Sequence, residues 1–166
     1  MDERDDPAYA RAPEPEDLVR LCRALNQAGA KYVLIGGFAV IAHGATRFTK
    51  DIDLLVDDAP DNIARVKRGL SVLADNAAAD VADTDVQEHV VVRIADEVLV
   101  DLMGRACGLS YTDVAVDAER VTVHAVDVPV ASPATLIRTK NTYREQDKID
   151  RAFLEELLRK RSAPRT

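Results

Sequence analysis

The apolar positions of this chain change period several times, and each change marks an element. From Pro15 they fall at Leu18, Leu21, Cys22, Leu25 and Ala28, the three-and-four spacing of one helical face. Pro15 opens that helix, Glu16 and Asp17 suit its first turn, and Gly29 stops it. Lys31 to Ile35 is a short apolar strand. Gly36-Gly37 then turns the chain into a brief helix over Phe38–His43, ending at Gly44, with a loop from Thr46 to Lys50. Asp51 to Val56 is a second strand. Pro60 begins a helix running to about Ala78, its buried stripe being Ile63, Val66, Leu70, Leu73 and Ala77, with Gly69 its weak point. His89–Ile94 and Glu97–Met103 read as two strands of a hairpin turning near Ala95-Asp96, and Val121–Val128 as a further strand. Ser132-Pro133 has the form of a helix cap followed by the first helical residue. Leu136, Ile137 and Lys140 begin a helical region. Ile149, Phe153, Leu154, Leu157 and Leu158 continue or restart it as an amphipathic C-terminal helix.

The elements predict a mixed β-sheet flanked by helices, an α/β or α+β fold. A chain of 166 residues fits one domain and is short for two. That domain is expected over 14–166, with residues 1–13 as a mobile tail of many charges and little apolar content. No apolar stretch approaches the roughly 20 residues that span a bilayer, and the acidic start lacks a signal peptide's apolar core. The expected location is the cytoplasm, without membrane partners. Cys22 and Cys107 form no short motif and read as reduced, small apolar residues. A net charge of −7 argues against gripping long nucleic acid, but allows a small nucleotide carried by metal. Arg138, Lys140, Arg144, Lys148, Arg151, Arg159, Lys160 and Arg161 crowd the last quarter and leave room for a locally basic cleft.

The chemistry concentrates in three aspartates. Asp51 and Asp53 are two residues apart on one strand, so their carboxylates leave the same face, roughly 7 Å apart along it. Ile52, Leu54 and Val56 would enter the core, with Leu55 on the aspartates' side. Two aspartates in a strand oppose propensity. They mark either a site or an exposed edge strand kept soluble by charge. Asp101 interrupts the apolar strand Val98, Leu99, Val100, Leu102, Met103, where an unpaired carboxylate is costly. Metal ligation would explain it; so would a bond to nearby backbone or to Arg105. Three converging carboxylates repel one another unless a cation sits between them, and hard oxygen ligands suit Mg²⁺. Gly36-Gly37 lets backbone approach a phosphate at a strand-to-helix junction, or is simply a tight turn. Together these features have the layout of a site for a nucleoside triphosphate.

The segment YVLIGGFAVIAHGATRFTKDIDLLV, with the later VLVDLM, resembles the nucleotidyltransferase superfamily of DNA polymerase β-like fold over about residues 31 to 103. That pattern is a Gly-Gly or Gly-Ser pair after the first strand, an acidic-hydrophobic-acidic triplet, then a third carboxylate on a later strand. The ending KNTYREQDKIDRAFLEEL resembles small bacterial members, including those of toxin–antitoxin and abortive-infection systems. The resemblance implies transfer of a nucleoside monophosphate from an NTP, ATP foremost, to an acceptor hydroxyl, with release of pyrophosphate. It assigns Asp51 and Asp53 to a metal on the triphosphate, and Asp53 and Asp101 to a second beside the acceptor, Mg²⁺ or Mn²⁺ in each case. Asp101 is then also the candidate for drawing off the acceptor proton, and Gly36 and Gly37 lie under the triphosphate.

Supporting residues are Thr49 and Lys50 before the acidic strand, Arg47 in the same loop, and Lys140 with Arg144. This last pair is read as one helical turn apart on a shared face, binding triphosphate or acceptor, or else as surface ion pairs with Glu145, Asp147 and Asp150. His43, His89 and His124 are scattered and read as structural or surface residues. Tyr111 and Tyr143 could stack on a base or simply pack. The acceptor is a protein side chain, a tRNA end or a small molecule; the size and ending favour the toxin–antitoxin type, and family habit suggests a homodimer. The rival is a non-catalytic nucleotide- or partner-binding module, antitoxin-like, that keeps the fold.

Overall fold

The computed structural model describes residues 10–164. The chain runs α1 (Pro15–Gln27), β1 (Tyr32–Ile35), α2 (Gly36–Ala42), β2 (Asp51–Val56), α3 (Pro60–Leu70), a 3₁₀ turn (Ala77–Asp80) and α4 (Asp85–Glu88). It continues β3 (Val92–Ala95), β4 (Leu99–Met103), β5 (Arg105–Ala106), β6 (Leu109–Ser110), α5 (Tyr111–Ala115), β7 (Glu119–Val123), β8 (Val126–Val130), α6 (Pro133–Thr139) and α7 (Glu145–Ser162). Six strands form one mixed sheet in the order β3-β4-β2-β1-β8-β7, and β5 pairs with β6 alone. The expected mixed sheet with flanking helices is what the chain forms. No helix among the described residues is long and apolar enough to cross a membrane.

The sheet is covered where the sequence is continuously apolar. All four residues of β1 are buried, as in a strand packed on both faces. Beside it β2 runs antiparallel to β1 and parallel to β4. Thus β2 is interior, and the edge-strand explanation of its aspartates fails. Leu55, expected on the aspartates' side, is buried with Ile52, Leu54 and Val56. On α1, Leu18, Leu21, Cys22 and Leu25 are the buried face. This helix meets α3 at Gly69, where an added Cβ would lie 2.6 Å from Leu25 Cδ2 and 2.9 Å from Leu25 Cα. The residue that weakens the helix in sequence terms is the point where two helices touch.

Several boundaries differ from the sequence reading, each for a local reason. α3 ends at Leu70, not near Ala78. Beyond it the amides of Ala74, Asp75 and Ala77 donate to the carboxylates of Glu97 and Asp96, and Asn76 takes a left-handed φ of 47°. Side chains from the β3–β4 turn have captured donors that a longer helix would use. The single strand expected over Val121–Val128 is the β7–β8 hairpin, turned by His124 and Ala125 with φ of 48° and 64°. Two left-handed residues suit such a turn, but it normally carries Asn or Gly. His89–Val91 precedes β3 as coil, after the unexpected short α4. The β5–β6 pair and α5, capped by Ser110 and Asp113, were not anticipated. Ser132 caps α6 as expected, its hydroxyl accepting from the Thr135 amide, with Pro133 next.

The tail reading for residues 1–9 lies outside the described residues. Residues 10–13 are tied down: the Arg11 amide donates to the Glu97 carbonyl, and its guanidinium grips Asp17 and Glu97.

Candidate active site

Strand register brings the aspartates together. Asp53 of β2 stands directly opposite Asp101 of β4, and Asp51 lies one pleat away on the same face as Asp53. One carboxylate oxygen from each of Asp51, Asp53 and Asp101 lies within 4.8 Å of the others. On its other side Asp53 pairs with Ile35, the last residue of β1. Gly36 follows with φ of 71°, and a Cβ there would lie 2.1 Å from Asp53 Oδ2. Only glycine meets both demands. At Gly37 a Cβ would lie 2.7 Å from Thr49 Oγ1. Thr49 itself donates to the Asp51 carbonyl at 3.2 Å, tying the loop to the start of β2. The pair is therefore more than a tight turn: each glycine clears space for a neighbouring site residue.

The carboxylates differ in their surroundings. No described residue donates a hydrogen bond to the Asp53 carboxylate. Burial first, then the charges of Asp51 and Asp101, push its pKa up to about 7. Asp101 is 5% exposed. Its partner is Arg93 of β3, and Arg105 is not involved. Arg93 Nε donates to Asp101 Oδ1 and Nη2 to Asp101 Oδ2, both at 2.8 Å, while Nη2 also reaches Asp51 Oδ2 at 3.0 Å. Those carboxylates hold the Arg93 guanidinium even more firmly charged than usual. Sequence reasoning missed Arg93: the turn expected at Ala95-Asp96 pairs it with Val98, whereas the observed turn over residues 96–98 pairs it with Asp101.

A second group of charges closes the site from the C-terminal side. Lys140 and Arg144 do not share a helical face. Lys140 ends α6, Arg144 precedes α7, and the chain bends between them. Lys140 is buried, with Nζ 3.2 Å from Asp150 Oδ2 and 3.6 Å from Asp147 Oδ1. Arg47 Nη1 also grips Asp150, and the Thr142 hydroxyl donates to Asp147. The ion pairs with Asp147 and Asp150 that the alternative reading named do form at Lys140, but they are buried in the site wall and not on the surface. α7 turns Asp147 and Asp150 inward and leaves Ile149, expected on its apolar face, 61% exposed.

A cavity of about 870 Å³ collects these parts. Gly36, Gly37, Thr49, Lys50, Asp51, Asp53, Asp101, Lys140 and Arg144, every site residue named from the sequence, line it with Arg47, Arg93 and Asp147. The other candidates lie elsewhere. His43 Nε2 donates to the Ala131 carbonyl at 2.8 Å, a structural bond. Tyr111 borders a separate cavity of about 100 Å³ beside Asp57, and Tyr143 is 98% exposed outside both.

The chemistry of the donor set fits a hard divalent cation. Three carboxylates converge, and the central one has no hydrogen-bond donor among the described residues. A sequence match spans residues 19–144, about three quarters of the chain, to the family described as Nucleotidyl transferase AbiEii toxin, Type IV TA system. This chain belongs to the AbiEii nucleotidyl transferase family. The match runs from α1 to the residue before α7, so it includes both glycines, all three aspartates and Lys140. Among solved structures, a candidate nucleotidyltransferase of Thermotoga maritima is similar in fold, with a TM-score of 0.52. Sequence identity is 18%, over 90% of this chain and 94% of that one. At that identity the likeness speaks for the fold. A search of curated proteins returned no match. AbiEii membership and fold together identify a nucleotidyltransferase with the character of a toxin–antitoxin component.

Proposed function

We propose that this AbiEii member is a metal-dependent enzyme that moves a nucleoside monophosphate from an NTP to an acceptor hydroxyl. The observation that carries the reading is the β2–β4 register, which sets Asp53 opposite Asp101, with Asp53 against a glycine that tolerates it only by lacking a Cβ. Asp51, Asp53 and Asp101 would hold the cation, Mg²⁺ or Mn²⁺. Bound there, it would supply charge neutralisation to the triphosphate and to the in-line displacement. The acceptor oxygen forms a bond to the α-phosphorus, the bond to the β-phosphate oxygen breaks, and pyrophosphate leaves. Asp101 is the candidate to take the acceptor proton. Gly36 and Gly37 leave the cleft floor open to the triphosphate. Lys140, fixed by Asp147 and Asp150, offers it positive charge, and Lys50 and Arg144 add charge at the wall. Positioning and electrostatics are the protein's main contribution in such transfers.

ATP is the expected nucleotide, and the acceptor a protein side chain, a tRNA end or a small molecule. The protein is expected to act in the cytoplasm, as one domain over 14–166, and as a homodimer. The test incubates the chain with α-labelled NTPs, Mg²⁺ or Mn²⁺, and fractions of lysate, tRNA or protein. Label should move to an acceptor with release of pyrophosphate, and both should vanish in Asp53→Asn. Thermal stabilisation by ATP without label transfer or pyrophosphate under any condition would instead establish the binding module.

A further inference from the structure

Arg93 is absent from the mechanism above, yet it pairs with two of the three aspartates. Its guanidinium engages both oxygens of Asp101 and one oxygen of Asp51, and leaves Asp53 and Asp51 Oδ1 untouched. Three ionised carboxylates against one guanidinium leave two negative charges, which one divalent cation would offset. The clamp is also lopsided. The Asp101 side chain is nearly buried, whereas Arg93 lies on the edge strand β3 with its side chain 46% exposed. Its long stem has solvent to swing into, so the guanidinium can leave without opening the core. Nearby Lys140 is not a substitute, since Asp147 and Asp150 already hold it.

We propose that Arg93 is a resident counter-cation that stands in for a second metal ion at Asp101, so that the site takes one divalent ion readily and a second only when Arg93 lets go. The inference rests on the proposed cation-binding role of the trio. It makes Arg93 a positioning residue that splits the site into two unequal halves. The Asp51–Asp53 half is open to an ion arriving with the triphosphate. The Asp101 half stays neutralised by a side chain until something displaces it, which keeps an idle, nucleotide-loaded site from being fully armed.

The test counts bound Mn²⁺ from the free-ion paramagnetic resonance signal, on the full chain, with and without α,β-methylene-ATP. Wild type should bind one ion tightly. Arg93→Gln should bind two, or gain at least about tenfold in affinity for the second. Arg93→Lys, which keeps the charge but not the fork, should fall between them. Without metal, Arg93→Gln should melt below wild type, and Mn²⁺ should raise its melting temperature by more than it raises wild type's. Equal ion counts and equal affinities in wild type and both variants would overturn the inference alone. Failure of wild type to bind any Mn²⁺, with or without the nucleotide, would overturn it together with the metal reading beneath it. If Arg93→Gln proves unfolded by circular dichroism, Arg93→Lys against wild type decides by the same count.

Discussion

Two charge clusters in this molecule are built from the same side chains and behave in opposite ways. At the N-terminal edge, Arg11 and Arg20 face Asp17 and Glu97, two cations to two anions, at distances from 2.6 to 3.4 Å. That cluster is balanced. Its partners are matched, and Arg11 above all holds the Asp17 pKa down to about 2. In the cleft, Arg93 alone among the described residues is ion-paired to the aspartate trio, through Asp51 and Asp101, and burial with mutual repulsion pushes Asp53 up to about 7. One cluster staples a strand turn to a helix and a leading segment. The other is left short of positive charge and open to a large cavity. The difference teaches how to tell a structural ion cluster from a site waiting for a cation: by whether its charges balance, and by whether its central member has a donor.

The largest expected contrast comes from removing one carboxylate from each cluster. Asp53→Asn should lower label transfer by at least about 10³-fold while raising the stability of the metal-free chain. Asp17→Asn should leave the chemistry alone and cost about 1–3 kcal/mol of stability. Melting curves and initial rates on the two variants check both halves. A metal-free Asp53→Asn less stable than wild type would contradict the repulsion argument.

The glycine floor gives the next effect. Gly36→Ala forces a Cβ onto the Asp53 carboxylate at a left-handed backbone position. We expect a loss of about 1–3 kcal/mol in stability and a fall in activity comparable to losing Asp53 itself. A Gly36→Ala variant with full activity would mean that Asp53 is free to move and has no fixed role.

The pH dependence separates the clusters by sign. Asp53 has a folded pKa above its ordinary value of 3.8, so the folded chain binds more protons than the unfolded one between about 4 and 7. Its contribution is therefore greatest below that window and is lost as pH rises through about 7, by at most about 1.4 kcal/mol per pH unit. Asp17 runs the other way, contributing above 3.8 and failing as pH falls toward about 2. In chelator-treated protein, the melting temperature relative to Asp53→Asn should fall from pH 4 to pH 8, and added Mg²⁺ should abolish the fall. A flat difference across that range would remove the electrostatic basis of the site.

Much of this was legible in the sequence because the site is built on strands. Period-two spacing put Asp51 and Asp53 on one face, and an acidic residue inside an apolar run singled out Asp101. The glycines were visible, though not their reason, which is a steric contact with side chains 12 and 17 positions downstream, Thr49 and Asp53. What sequence reading missed was set by tertiary contact. Arg93 lies within the predicted strand His89–Ile94 but was not singled out, because its meaning depends on what lies across from it. Lys140 seemed to share a helix with Arg144, because nothing local announces the bend between α6 and α7. α3 looked longer because its stripe continues, while the carboxylates that end it come from Asp96 and Glu97, some twenty residues away.

The smallest expected effect sharpens the picture of the cleft wall. Arg144 is exposed, whereas Lys140 is buried between two carboxylates. Arg144→Gln should change stability by no more than about 0.5 kcal/mol and weaken the KM for nucleotide modestly. Lys140→Gln should cost stability and activity together, by about 3 kcal/mol in the folding equilibrium. Equal effects at the two positions would mean that the buried network around Asp147 and Asp150 is not what holds the wall.

The most direct test of the account is a crystal structure of the chain with Mn²⁺ and α,β-methylene-ATP, read by the anomalous signal of manganese. The account predicts a peak touching Asp51 and Asp53, with the triphosphate lying over Gly36 and Gly37. A nucleotide bound elsewhere, or Asp51 and Asp101 still held by Arg93 with no peak among the three carboxylates, would contradict it.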